Sequence, residues 1–303
     1  MASIHERRLE LGGFRTRALE LSPAVDTADP TLVLIHGFSD SADTWRPLMR
    51  LLAVEGRGAL AIDLPGFGQA DRLARDRPIL PQLDRCVVAA VEHAAAASPT
   101  RTVILSGNSL GGCEALRLAQ RSALPIEAIV PIAPAGLDLA GWIGIIEGAW
   151  AVQSILRSPL PLPEFAVRQL VGQAYRQLGS AHPGDLEPEV VAAFTRSFRS
   201  KRDVVRLLGT ARTLRSEIRD PFQLEWIACP VLVIWGDRDR LVSVAGAKRI
   251  LDQVPQARLE IIERCGHCPQ VEYPERVAEL ISEFASARVA ASAAQVSPAA
   301  ERS

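Results

Sequence analysis

The stretch VILSGNSLGG (residues 103–112) is an apolar, β-branched run followed by a serine with glycine two positions away on either side. Gly107 to Gly111 match the pattern G-x-S-x-G, and a helix-patterned segment follows. Small residues at these positions let the backbone pass closely, so the stretch predicts a strained strand-to-helix turn, a nucleophile elbow, that exposes the Ser109 hydroxyl. Ser109 is therefore the candidate nucleophile, with the Leu110 amide aimed at a developing oxyanion. The alternative is a glycine-rich turn with an incidental serine.

Apolar runs alternate with helix-patterned segments on both sides of this turn. Two-sided apolar runs separated by helices are typical of a mostly parallel sheet covered on both faces, which predicts an α/β fold with a central sheet flanked by helices. The expected strands are residues 31–36, 58–63, 101–106, 126–132, 229–235 and 257–262, and the expected helices in the first half are 45–54, 80–97 and 109–122.

The strand rhythm stops between residues 136 and 222, where the chain reads as helices and proline-containing bends. This pattern predicts a helical cap (136–222) inserted into a core made of residues 1–135 and 223–290. A final helix is expected from about Pro274 to Ala290. Residues 291–303 lack a core-forming pattern and are predicted to be a disordered tail.

Composition limits the classes of function. The 303 residues are 48% hydrophobic, enough for a full core, and the net charge of −1 gives no attraction for nucleic acid or anionic membrane. The charged N-terminus has no export signal, and no segment is long and apolar enough to span a bilayer. We therefore expect a cytoplasmic protein whose five cysteines are reduced, with no cofactor. Oligomeric state stays open.

Two further stretches carry candidate catalytic residues. In LIHGF (residues 34–38), Gly37 allows a turn after a strand that aims the Phe38 amide at the same oxyanion; an ordinary strand-end turn is the alternative. In VLVIWGDRDRLVS (residues 231–243), two acids, Asp237 and Asp239, follow an apolar strand. Either carboxylate is placed to orient an imidazole, and either is equally compatible with a solvated loop acid.

The imidazole is expected from residues 265–268, Cys-Gly-His-Cys, which resemble the redox centre of protein disulfide isomerases. Pro269 follows directly, and a residue before proline is kept out of the helical region, which disfavours the helix start that such a dithiol requires. No second ligand pair accompanies the cluster, so no metal is expected. His267 is therefore the candidate base, and the order Ser109, Asp239, His267 is that of a catalytic triad.

With these motifs in place, residues 30–285 resemble the α/β-hydrolase family, in its serine-nucleophile, esterase- and lipase-like branch with a helical cap. The matching stretches are HGF, DLPGFGQAD, GNSLGG, GDRDRLV and GHCPQVEYPE, and the one departure is Ala70, where the family often has serine. The resemblance implies that Asp239, three residues after the glycine, is the triad acid. It also implies that the backbone amides of Phe38 and Leu110 form the oxyanion hole.

A serine nucleophile suits acyl transfer, whereas relatives that open epoxides or displace halide carry aspartate at the elbow. We therefore expect a carboxylesterase for small to medium hydrophobic esters. Some similarity to C–C bond hydrolases of ring-fission products leaves that activity, and thioester hydrolysis, as alternatives. A non-catalytic, ligand-binding member of the fold is the different class.

The predicted cap should contact the substrate. Its aromatic residues favour an apolar group, and Trp142, Trp150 and Phe198 are the candidate substrate-binding residues. The same segment holds a run of basic residues between Arg196 and Arg215. Most are expected to form a solvated face; the alternative is that one arginine turns inward to hold a substrate carboxylate.

Overall fold

The computed structural model describes residues 3–24, 29–137, 162–186, 188–219 and 221–296. Eight strands form one sheet in the order β1-β2-β4-β3-β5-β6-β7-β8. β1 and β2 pair antiparallel, β2 pairs antiparallel with β4, and all remaining pairs are parallel. The predicted mostly parallel sheet is confirmed. The strands are β1 (His5–Leu11), β2 (Phe14–Leu21), β3 (Thr31–Ile35), β4 (Ala59–Ile62), β5 (Val103–Asn108), β6 (Ile126–Ile132), β7 (Val231–Gly236) and β8 (Ala257–Ile262).

Helices cover both faces of this sheet. In the described residues they are α1 (Arg46–Val54), α2 (Ile79–Ala97), α3 (Leu110–Leu118), α4 (Glu164–Gly179), α5 (Pro188–Thr195), α6 (Lys201–Glu217), α7 (Ala247–Gln253), α8 (Pro269–Glu272) and α9 (Pro274–Val296). Short 3-10 turns lie at Ala42–Trp45, Leu224–Trp226 and Val244–Gly246.

The core is divided between the two faces by the alternation of side chains along each strand. In β3, Val33 and Ile35 pack into the cluster that contains the buried sides of α2 and α3. Leu32 and Leu34 point the other way, into the cluster shared with α1 and α9. Because both faces are buried, the strand is apolar throughout, which is why it was visible in the sequence.

The antiparallel hairpin of β1 and β2 was not among the expected strands. Gly12 and Gly13 join the two strands with φ of 60° and 85°, the positive values that a tight type I′ hairpin turn requires. β1 carries four charged residues in seven and is mostly exposed, so it lacks the buried alternation that marks a strand. The pair Gly12-Gly13 was the sequence signal that could have predicted this hairpin.

Two expectations concerned the segments beyond the sheet. Between residues 136 and 222, the described part of the chain contains α4, α5 and α6 and no strand; that these form a cap stays a prediction. α9 continues to Val296, six residues beyond the expected helix end, and a disordered tail over residues 291–303 stays a prediction. The alanine-rich sequence there favours helix without needing a core-facing pattern.

Candidate active site

Ser109 lies at the junction of β5 and α3 in a strained backbone conformation. Its φ of 54° and ψ of −109° fall where residues with a side chain rarely lie. Its amide donates to Ile132 O (2.9 Å), while its carbonyl accepts from Cys113 N (2.9 Å) and Ala135 N (3.0 Å). These bonds to β6 and to the loop after it hold the turn in place.

The two glycines of the motif are required by close backbone packing. A Cβ on Gly107 would collide with the backbone of Gly111, and one on Gly111 would collide with the carbonyl of Ile35 at the end of β3. The turn at Ser109 is therefore as tight as the motif predicts.

His267 and Asp239 form a buried hydrogen-bonded pair. The distance from His267 Nδ1 to Asp239 Oδ2 is 2.7 Å, and the two side chains are 7% and 1% exposed. Asp239 Oδ1 accepts from the amides of Leu241 (2.8 Å) and Val242 (3.0 Å), which fixes the carboxylate. The His267 amide donates to Gly179 O (3.0 Å) at the end of α4. A proton on Nδ1 directed at Asp239 leaves Nε2 as an acceptor.

Asp237 has a different partner. Its Oδ1 accepts from the Cys265 amide (3.2 Å), two residues before His267, and the residue is exposed. Of the two acids left open by the sequence, Asp239 is the one that bonds to the imidazole.

Contacts across the sheet bring the serine turn and the histidine loop together. Asn108 Nδ2, in the residue before Ser109, donates to His267 O (2.9 Å). A Cβ placed on Gly37 would lie 3.3 Å from Ser109 Cβ, so the turn after β3 passes close to the Ser109 side chain. Asn108 was not among the candidate site residues predicted from the sequence.

The turn after β3 is fixed by His36. Its Nε2 accepts from the Leu64 amide (2.8 Å), which leaves Nδ1 to donate to Gly37 O (2.7 Å). Complete burial lowers the pKa of His36. A neutral imidazole with both nitrogens engaged positions the turn and is unavailable as a base.

The two candidate oxyanion donors, Leu110 and Phe38, directly follow Ser109 and Gly37. Leu110 is the first residue of α3, where a helix amide has no acceptor within the helix. Phe38 follows Gly37, and its ring packs edge-on against Phe67 with ring centres 5.3 Å apart.

The two thiols beside His267 are buried and unpaired with each other. Cys265 is 0% and Cys268 5% exposed, and both are free cysteines. Burial raises the pKa of each thiol above its ordinary value. Cys268 has φ −118° and ψ 66°, outside the helical region, and the helix begins only at Pro269. Raised pKa values oppose the thiolate that redox exchange requires.

Glu272, at the end of α8, joins the histidine loop to the end of α4. Its Oε1 accepts from the Gly266 amide (2.9 Å), and its Oε2 accepts from the Ser180 hydroxyl and the Ala181 amide, both at 2.8 Å. Glu272 lies within the matched stretch GHCPQVEYPE, but its residue type alone did not reveal this role.

Of the candidate substrate-binding residues, Phe198 is buried and lines a cavity of about 1220 Å³; Trp142 and Trp150 lie outside the described residues. Ser39 and Asp40 also line the cavity, whereas Ser109, Asp239 and His267 do not. Basic residues expected to face solvent, Arg196, Arg199, Arg202 and Arg206, are exposed and line this cavity as well.

Comparison with known proteins identifies the family. The profile of the alpha/beta hydrolase family matches residues 32–280. The chain belongs to this family.

Relatives of this hydrolase are named for different substrates. It is 27% identical over 261 residues to a pimeloyl-[acyl-carrier protein] methyl ester esterase of Aeromonas hydrophila, covering 84% of this chain and 95% of the relative. It is 28% identical over 263 residues to a 2-hydroxymuconate semialdehyde hydrolase of a Pseudomonas species, covering 84% and 86%. Among solved structures, a bacterial membrane phospholipase A superposes with a TM-score of 0.69 at 25% identity, covering 93% of this hydrolase and 85% of that chain.

The described residues of this hydrolase contain neither a helix suited to span a membrane nor a cluster of metal ligands. None of the helices there combines the length and the apolar character needed to cross a membrane. In the same part of the chain, no three His, Cys, Asp or Glu side chains are grouped as metal ligands.

Proposed function

We propose that this alpha/beta hydrolase cleaves carboxylic esters of small to medium hydrophobic substrates through an acyl-enzyme on Ser109. The observation that carries the proposal is the 2.7 Å hydrogen bond between His267 Nδ1 and Asp239 Oδ2, in a loop bonded to the residue before Ser109. A carboxylate that holds the imidazole proton on Nδ1 leaves Nε2 free to accept a proton from a serine hydroxyl.

The reaction then proceeds in two halves. Nε2 of His267 takes the proton of Ser109 as its oxygen attacks the substrate carbonyl, and the amides of Phe38 and Leu110 stabilise the oxyanion. The imidazolium, stabilised by Asp239, returns the proton to the leaving alcohol. Water repeats the sequence on the acyl-enzyme, which releases the acid and restores Ser109.

The relatives support ester hydrolysis as the proposed activity and C–C bond hydrolysis as a second candidate. A methyl ester esterase at 27% identity supports ester hydrolysis. The 2-hydroxymuconate semialdehyde hydrolase at 28% identity supports C–C bond hydrolysis as the second candidate. Small-molecule turnover without a cofactor fits both. Five cysteines without a disulfide fit the reducing cytoplasm that the sequence suggests.

The test is covalent labelling followed by turnover. A fluorophosphonate probe should label wild type and not Ser109→Ala, and the variant should keep the wild-type unfolding transition. Turnover of p-nitrophenyl esters by the variant should fall by about 10³-fold or more, because only the oxyanion hole and binding remain. Unchanged turnover in the variant would exclude Ser109 as nucleophile, and a wild type that takes no label would favour the non-catalytic class. A dienoic ring-fission product assayed in parallel separates the two bond types.

A further inference from the structure

The cavity beside the proposed site has a strongly basic lining. Nine of its lining residues are arginine or lysine, and three, Asp40, Asp43 and Asp203, are acidic. The whole chain has a net charge of −1, so this positive charge is a local concentration and no general property of the surface.

Five of the basic side chains have no hydrogen-bond or ion-pair partner among the described residues. Arg72, Arg75 and Arg77 lie in the loop between β4 and α2, and Arg199 and Arg202 lie before and in the first turn of α6. All five are exposed. Within the described part of the chain, none makes a side-chain hydrogen bond or ion pair. The two groups contribute to the lining of one cavity from separate segments of the chain.

The acids in the lining already have other partners. Asp43 is held by Arg17 (2.8 Å) and Arg46 (2.7 Å). Asp203 forms the capping box of α6 with Ser200 and lies 3.3 Å from Arg206.

The third acid, Asp40, carries only about half of a negative charge at pH 7, because burial raises its pKa to about 7. The five free guanidinium groups are therefore not neutralised by the cavity's own carboxylates.

The cavity lies next to the turn that carries Phe38, the proposed oxyanion donor. Its wall includes Ser39 and Asp40, which directly follow Phe38, the proposed oxyanion donor. A substrate whose carbonyl lies at the Phe38 amide would extend into this space with its remote part. Phe198 adds an apolar surface to a cavity of about 1220 Å³, which is larger than a short acyl chain needs.

We infer that the cavity binds a phosphorylated portion of the substrate, remote from the ester or thioester that is cleaved. Guanidinium groups bind phosphate oxygens in bidentate geometry, and several of them around one space suit a group with several anionic oxygens better than a single carboxylate. The inference rests on the proposed function and specifies its substrate class.

Matched substrate pairs test it. Butyryl-coenzyme A is compared with butyryl-pantetheine, the same thioester without the nucleotide phosphates. Dibutyryl-glycerol phosphate is compared with dibutyryl-glycerol, which represents a lipid source of phosphate. For wild type, kcat/KM should be at least about tenfold higher for the phosphorylated member of one pair, and the pair that responds identifies the source.

The variant Arg75→Gln/Arg202→Gln removes one charge from each side of the cavity. It should raise KM for the phosphorylated member about tenfold or more and leave its neutral counterpart within about twofold. Arg50→Gln, an exposed arginine on α1 outside the cavity, should change neither. Equal kcat/KM within both pairs, or equal losses on both members in the double variant, would overturn the inference.

A failure of the proposed function can be distinguished from a failure of this inference. If wild type turns over no substrate, adenosine 3′,5′-bisphosphate and glycerol phosphate are titrated calorimetrically into wild type and the double variant. Binding of either that weakens about tenfold in the double variant supports the cavity as a phosphate site without hydrolysis. No binding to wild type, or equal binding to both proteins, overturns it.

Discussion

Asp237 and Asp239 follow the same strand, but each has its own hydrogen-bond partner. Asp239 bonds to the imidazole of His267, and Asp237 bonds to the amide of Cys265. We expect Asp239→Asn to lower kcat for p-nitrophenyl esters by about 10³–10⁴-fold, because an amide there favours the wrong imidazole tautomer. Asp237→Asn keeps an oxygen acceptor for Cys265 and should cost less than about tenfold. Steady-state kinetics of both variants compare the two, and a reversed order would mean that the acid is misassigned.

The two thiols that flank His267 lead to a second prediction about single residues. Because burial raises the pKa of both thiols, Cys265→Ser with Cys268→Ser should retain most ester turnover, whereas His267→Ala should lose nearly all of it. Turnover is measured before and after diamide, and again after dithiothreitol. Reversible loss in wild type that is absent from the double variant would instead reveal a redox-sensitive pair.

At the scale of elements, the short helix α8 joins two segments through the Glu272 carboxylate. Its oxygens accept from Gly266 in the histidine loop and from Ser180 and Ala181 after α4. Glu272→Gln replaces one acceptor oxygen with an NH₂ donor, which leaves a buried amide or hydroxyl unsatisfied. The histidine loop should then be less well fixed, so kcat should fall about tenfold while KM changes little.

Glu263→Gln is the matched control, because Glu263 is exposed near the same loop. Kinetics and thermal unfolding are measured for both variants. A parallel loss in the two variants, or a change in KM alone, would contradict a positioning role for Glu272.

The sequence predicted some elements far better than others. β3 and β5 were recognisable because burial on both faces makes every position apolar. β1 was missed because it is exposed and charged, and its place in the sheet depends on pairing with β2. The end of α9 was also missed, since helix propensity in an alanine-rich segment leaves no amphipathic pattern.

The same distinction applies to the site. Ser109 and His267 were identifiable, because a strained turn and a loop histidine have local signatures. The partner of His267 could not be chosen from the residues alone, since Asp237 and Asp239 differ only in which neighbours the folded loop offers. Glu272 and the cavity arginines depend on contacts between distant segments, which no local pattern records.

For the whole molecule, buried carboxyl groups set a pH dependence of stability. Burial raises the pKa of Asp40 from 3.8 to about 7. Between these values the unfolded chain releases the proton and the folded protein retains it, so the contribution to stability is lost as pH rises from about 4 to 7. Burial also raises the pKa of Glu114, which acts in the same direction.

We therefore expect Asp40→Asn to gain stability relative to wild type as pH increases. The difference in unfolding free energy between the two should grow by about 2–3 kcal/mol from pH 5 to pH 8. Urea denaturation at both pH values measures it, with Asp71→Asn, an exposed acid, as the comparison. A difference that stays constant with pH would show that Asp40 titrates normally.

The order of the sheet has a consequence for encounters between copies of the chain. β1 and β8 are its edge strands, and their outward backbone groups are the ones available to pair with a strand from another molecule. β1 presents a row of exposed charges, and β8 carries Arg258 and Glu260 between its apolar residues. A strand approaching either edge would have to bury these charges. The sheet is thereby protected at both ends against edge-to-edge aggregation, a protection that neutralising substitutions in β1 would weaken.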